Sequence, residues 1–127
     1  MSKSARRPAA TRSKRLPADL TLAIKAAVEK KAIDLVVLDL RGADAFTDFF
    51  IICTGANTRQ VQSIADAIEE ALREHGTKPA LIEGHARAHW VLVDYFDFIV
   101  HIFSPTTREF YALEKLWGDA KRIEIPT

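Results

Sequence analysis

Two almost fully apolar runs that stand back to back constrain the fold of this chain more than any other feature. They are Trp90–Tyr95 and Phe98–Phe103, and only two residues separate them. Because so short a connection can join only neighbouring antiparallel strands, the segment predicts a β-hairpin. A helix is predicted directly afterwards, since Ser104 can cap it and Pro105 suits its first position.

The rest of the chain alternates helical and strand patterns. Apolar spacing predicts a helix that Asp19 caps and a longer helix that Asn57 caps. Short apolar runs predict three further strands, at Leu35–Leu40, Phe49–Thr54 and Ala80–Glu83. The predicted order is α-β-β-α-β-β-β-α, which indicates an α/β (α+β) domain with a mixed five-stranded sheet flanked by helices.

Length and charge divide the chain into a basic arm, one domain and a short tail. The 127 residues suit a single domain, which we place at residues 19–118, with a C-terminal tail at 119–127. Residues 1–18 carry six basic side chains and no acid. Residues 19–127 carry 12 basic and 17 acidic residues, a net charge of about −5. An acidic body suits a basic partner.

The basic arm is interpreted as a disordered cytoplasmic segment that can attract nucleic-acid phosphates. An organellar presequence is the alternative, but prolines interrupt the arm and its apolar residues are mostly alanines. The chain has no apolar run long enough to span a membrane. Its one cysteine, Cys53, fits a reducing compartment, so a cytoplasmic location is expected.

Residues that could carry chemistry are sparse. A nucleotidyl transferase needs two carboxylates two residues apart to hold Mg²⁺ and usually a Gly-Ser turn before them; neither occurs here. His85 and His89, with Glu83, have spacing that could bind zinc, although exposed loop histidines are the simpler interpretation. His101 is expected to be buried and hydrogen-bonded to the backbone or a carboxylate. We therefore expect no enzyme, no metal site and no cofactor.

The aromatic residues favour a binding surface instead. Tyr95 and Phe96 flank the tight turn of the hairpin, where burial is difficult, and Asp94 and Asp97 stand beside them. Exposed aromatics next to acids are typical of a protein interface. Trp117 lies at helical spacing in the last predicted helix and is expected in the core.

A set of residues over about 19–118 matches a known family in order and spacing. They are Asp39, Thr47-Asp48, Ile51-Ile52, Thr54-Gly55, Arg59, Ser63-Ile64-Ala65-Asp66, Glu83-Gly84, Trp90, Asp94, Ile99-Val100-His101, Arg108, Tyr111, Leu113-Glu114 and Leu116-Trp117. With these residues the chain resembles the ribosomal silencing factor family, also called Iojap or RsfS. The resemblance implies a nucleotidyltransferase-like fold without the catalytic acids.

The resemblance also implies a function. Family members repress translation by binding ribosomal protein L-fourteen of the large subunit and blocking the small subunit from joining, and they are often dimers. Transferred by position, the partner-binding residues are Trp90, Asp94, Tyr95, Arg108 and Tyr111.

The chain departs from the family pattern at two places. Phe96 stands at the hairpin turn where the family usually has glycine, and Gln60 stands where the family often has histidine. Two alternative functions remain open, a nucleotidyltransferase-like or metal-dependent enzyme and an RNA-binding assembly factor that uses the basic arm.

Overall fold

The computed structural model of the chain describes residues 16–42, 45, 47–111 and 120–123, and of residues 109–111 it describes the backbone alone. These residues form one α+β domain. Its elements are α1 (Ala18–Glu29), β1 (Ile33–Asp39), β2 (Phe49–Thr54), α2 (Thr58–Glu74), β3 (Leu81–Glu83), β4 (Trp90–Asp94), β5 (Phe98–Phe103), α3 (Pro105–Tyr111) and β6 (Lys121–Ile123).

The strands form a mixed sheet in the order β3-β4-β5-β2-β1-β6. Strands β2 and β5 pair in parallel, and the other neighbours pair antiparallel. The predicted α+β architecture is confirmed, but the predicted number of strands is wrong. The sixth strand, β6, pairs with β1 and lies inside the segment 119–127 that was separated as a tail.

The two central strands account for the near-continuous apolar runs in the sequence. Every residue of β2 and of β5 is buried. A parallel pair at the centre of a sheet is covered on both faces, so its strands lose the alternation of apolar and polar residues that edge strands keep. The β4–β5 hairpin is confirmed, with register running from Trp90 opposite Phe103 to Asp94 opposite Ile99.

Side chains that alternate along the strands build two separate cores. One face packs against α1 and α2 through residues such as Ile51, Val100 and Ile68. The other face has a second core of Leu38, Leu40, Phe50, Ile52, Ile99 and Phe103, against which Trp90 and Leu92 pack partly buried. We call this the second face of the sheet.

Hydrogen bonds at the ends of α1 and α2 hold the two helices together. The Asn57 side chain accepts a bond from the Gln60 backbone N–H at 2.9 Å, as the predicted cap requires. Gln60 also donates through Nε2 to the carbonyl of Lys30 at 3.0 Å, which ties α2 to the end of α1. Helix α1 begins after Pro17, so the predicted Asp19 cap is wrong; Asp19 instead accepts a bond from Thr77 at 2.9 Å.

No helix of the described ranges is long and apolar enough to cross a membrane.

A histidine lies inside the second core. His101 is only 5% exposed, and its Nδ1 accepts a bond from the indole Nε1–H of Trp90 at 3.1 Å. The expected burial is confirmed, but the partner is an indole and not a backbone group or a carboxylate. The ring of Phe50 meets the imidazole edge-on, with centroids 4.6 Å apart. Burial among these rings lowers the pKa of His101 to about 4, so the imidazole is neutral at pH 7.

The lowered pKa of His101 predicts a stability that depends on pH. The unfolded chain binds a proton near pH 6.5, while the folded chain resists protonation until about pH 4. The free energy of unfolding should therefore fall by on the order of 3 kcal/mol as the pH drops through this window. His101→Asn keeps an acceptor for Trp90 but does not titrate. Chemical denaturation from pH 7 to pH 4 should show a stability difference between the two proteins that shrinks on acidification; a constant difference would contradict the assignment.

Candidate functional site

Strand β4 places a row of partly exposed side chains along the second face. Trp90, Leu92 and Asp94 alternate with Val91 and Val93, which are buried under the helices. The Trp90 ring packs against Phe103, with ring centroids 5.1 Å apart. Because its Nε1–H is bonded to His101, the indole is fixed in orientation while part of its surface faces solvent.

The loop that precedes Trp90 is held against α2. Gln62 donates to the carbonyl of His85 at 2.9 Å, and the His85 ring contacts Asp66 at 2.9 Å. Gly84 has φ +83°, and a Cβ there would lie 2.1 Å from the Trp90 carbonyl oxygen. Only glycine allows this approach, so Gly84 determines how the backbone enters β4 at Trp90.

Tyr95 does not face solvent, and the expectation that it lies exposed beside the turn is wrong. The side chain is 6% exposed and belongs to the core under α1 and α2. It continues the alternation of Val91 and Val93, and its ring stacks on Phe98 with centroids 5.1 Å apart. Burial raises the pKa of the Tyr95 hydroxyl to about 12, with Glu69 adding to the shift.

Phe96 is the exposed residue of the turn. Its side chain is 67% exposed, and its backbone has φ +72°. The turn therefore keeps a left-handed conformation although a bulky residue occupies it. The partner-binding residues transferred from the family do not include Phe96, although its place at the hairpin turn beside Asp94 and Asp97 was a signal that could have put it in the site.

Arg108 makes its hydrogen bonds inside the domain. Its Nη1 donates to the Asp34 carbonyl at 2.7 Å and to the Thr54 hydroxyl at 3.0 Å. Asp34 has φ +51° and lies where the register of β1 against β2 shifts. Arg108 thus joins α3 to the ends of two strands. The side chains of Tyr111 and Phe110 lie outside the described part of the chain, as do Leu113 and Trp117.

The structure brings together only part of the predicted site. Trp90 and Asp94 lie on one face of one strand, at its two ends. Tyr95 points to the opposite face, into the first core, and Arg108 lies at the end of the sheet where β2 and β5 finish. The accessible part of the candidate site is therefore the second face along β4, continued by Phe96 at the hairpin turn.

The residues considered for catalysis do not assemble. Within the ranges that the structure describes, no three His, Cys, Asp or Glu side chains come together as a metal site. His85 pairs with Asp66 and not with His89 and Glu83. Cys53 is fully buried, and burial raises the pKa of its thiol to about 12, which leaves it a thiol at neutral pH.

Comparison with known proteins gives consistent matches over most of the chain. A family model described as "Ribosomal silencing factor during starvation" matches residues 13–127. The chain is 44% identical over 106 residues to "Ribosomal silencing factor RsfS" of Bacillus subtilis, covering 84% of this chain and 90% of that protein. The protein of the same name from Halalkalibacterium halodurans is 42% identical, with 84% and 91% covered.

A solved structure agrees with these matches. The crystal structure of a Chromobacterium violaceum protein superposes with a TM-score of 0.76 at 34% sequence identity, covering 86% of this chain and 88% of that one. The similarity in sequence therefore extends to the fold. This chain belongs to the ribosomal silencing factor family.

Proposed function

We propose that this protein represses translation by binding the large ribosomal subunit through ribosomal protein L-fourteen and sterically blocking the small subunit from joining. Membership of the ribosomal silencing factor family is the observation that carries the proposal. The block requires a stable affinity and a suitable position on the large subunit, and it includes no catalytic step. The proposal places the protein in the cytoplasm with the ribosomes.

The rigidity of β4 supports a role in binding. Trp90 is fixed by its bond to His101 and by its packing on Phe103, so it loses little side-chain freedom when a partner covers it. Rigid, partly exposed tryptophans are frequent anchors of protein interfaces. We therefore assign Trp90 and Asp94 to the surface that contacts the ribosomal protein.

Of the other predicted site residues, two are assigned to supporting the binding surface, and one stays a predicted contact. Tyr95 is buried under the helices and supports the hairpin from its opposite face. Arg108 holds the start of α3 against Asp34 and Thr54. Tyr111 stays a predicted contact residue. The net charge of about −5 on residues 19–127 favours a basic partner, as many ribosomal proteins are.

Subunit joining tests the proposal directly. Purified large and small subunits are mixed with increasing amounts of the protein, and joined ribosomes are measured by sedimentation. The joined fraction should fall as the protein saturates the large subunits. Normal joining at saturating protein would refute the proposal, and turnover of a nucleoside triphosphate with a stoichiometric metal would favour the enzyme alternative.

Replacing Trp90 with alanine should weaken binding to isolated large subunits by on the order of 2 kcal/mol, about thirtyfold. Trp90→Phe is the matched control, because it keeps a smaller aromatic ring at this position and removes the indole donor to His101. It should retain most of the affinity. Thermal unfolding of both variants separates loss of contact from loss of fold, and equal affinity of Trp90→Ala and the natural protein would remove Trp90 from the interface.

Deleting residues 1–17 removes six basic side chains and tests the basic arm. If the arm only adds attraction to ribosomal RNA, binding should weaken at low salt and change little at high salt, where screening already suppresses this attraction. Sedimentation with large subunits at the two salt concentrations measures the effect. Loss of binding at both would support an RNA-binding assembly factor instead.

A further inference from the structure

We propose that Phe96 is a preorganised aromatic anchor, and that it inserts into an apolar pocket surrounded by basic groups on a protein of the large ribosomal subunit. The inference rests on the proposed function and adds a contact residue that the family pattern does not supply. It comes from three properties of the hairpin turn, namely exposure, backbone conformation and rigidity.

Phe96 is the most exposed of the large apolar side chains that the structure describes. It is 67% exposed, while the next, Leu81, is 45% exposed. A phenylalanine in this position buries little of its apolar area in the folded state, so the hydrophobic effect contributes little to the folding free energy through it. The exposed 67% of the side chain is available for burial against a partner.

The backbone at Phe96 is also unfavourable. The residue has φ +72°, and the Asp97 N–H donates to the Tyr95 carbonyl at 2.8 Å, which closes a three-residue γ-turn around Phe96. This form of the turn is rare and strained, and a bulky side chain at positive φ adds to the cost. The backbone of Phe96 is therefore strained without a gain from burying its side chain, and such strain is concentrated at functional sites.

Hydrogen bonds from both sides hold the strained turn in one conformation. The Phe96 N–H donates to Asp94 Oδ1 at 2.8 Å, and the Thr47 hydroxyl donates to the Phe96 carbonyl at 2.8 Å. The Asp48 N–H donates to the Asp97 carbonyl at 3.0 Å, which ties the turn to the start of β2. Because the turn is already ordered, binding costs little additional conformational entropy.

The charges around Phe96 indicate the chemistry of its partner. Asp94 and Asp97, both partly exposed, come two residues before and one residue after Phe96 in the turn, and Leu81 lies opposite Asp94 on the neighbouring strand. We call the turn with Asp94, Phe96 and Asp97 the apex of the hairpin. Because it combines negative charge with an exposed apolar ring, it suits a basic protein surface with an apolar pocket. The phosphates of RNA would be repelled by it, and a second copy of this chain would bring like charges together at the same apex.

The test compares Phe96→Gly with Lys31→Gly and Phe96→Trp. Lys31 is exposed and has φ +63°, but it follows α1, outside the hairpin. Both glycine variants remove strain, so both should raise the midpoint of thermal unfolding. Only Phe96→Gly should weaken binding to isolated large subunits, by about tenfold. Phe96→Trp, which keeps an aromatic ring, should bind within a few-fold of the natural protein.

The outcomes separate this inference from the proposed function. If the natural protein binds large subunits and Phe96→Gly binds equally well, the inference is overturned and the proposed function stands. If Phe96→Gly changes only self-association, the apex serves a second copy and the inference is also overturned. If the natural protein does not bind large subunits at all, the proposed function fails and this inference fails with it.

Discussion

The parallel pairing of β2 with β5 is the constraint on which the rest of the structure depends. Six residue pairs, from Phe49 with Phe98 to Thr54 with Phe103, join two strands that are buried on both faces. Because both faces must be covered, the domain needs α1 and α2 on one side and the second core on the other. The hairpin partner β4 is then fixed by its register on β5, and its side chains alternate between the two layers.

This arrangement explains why the candidate site is a surface along β4. Side chains of β4 that face the helices are apolar and buried, whereas those on the second face are only partly covered. The polar groups nearest to this row are used in support: His101 holds Trp90, and Asp94 holds the turn. A rigid surface with acidic residues at one end is well suited to binding a basic partner, which is what the proposed steric block requires.

The sequence predicted the features that depend on local pattern. The strand Phe98–Phe103, the hairpin, and the helix cap at Asn57 all follow from periodicity and short-range chemistry. The burial of Tyr95 was missed, although its even spacing from Val91 and Val93 was a usable signal that the nearby turn obscured. The remaining differences are non-local. Strand β6 is three residues long and pairs with the edge of β1, and the bond from Arg108 to Asp34 joins residues that no sequence spacing relates. The bond from Trp90 to His101 joins diagonal neighbours of the predicted hairpin, but the sequence pattern does not indicate that the two side chains bond to each other.

The most direct test of the central claim, that the protein binds through the second face along β4 and the turn at Phe96, is backbone hydrogen exchange with and without saturating large ribosomal subunits. Bound subunits should slow exchange in β3, which is the edge strand beside β4, and at the turn that contains Phe96, because a partner on this surface covers both segments. Exchange in α1 should change little, because that helix covers the opposite face. Slowed exchange confined to the basic arm, with no change along the hairpin and β3, would contradict the account.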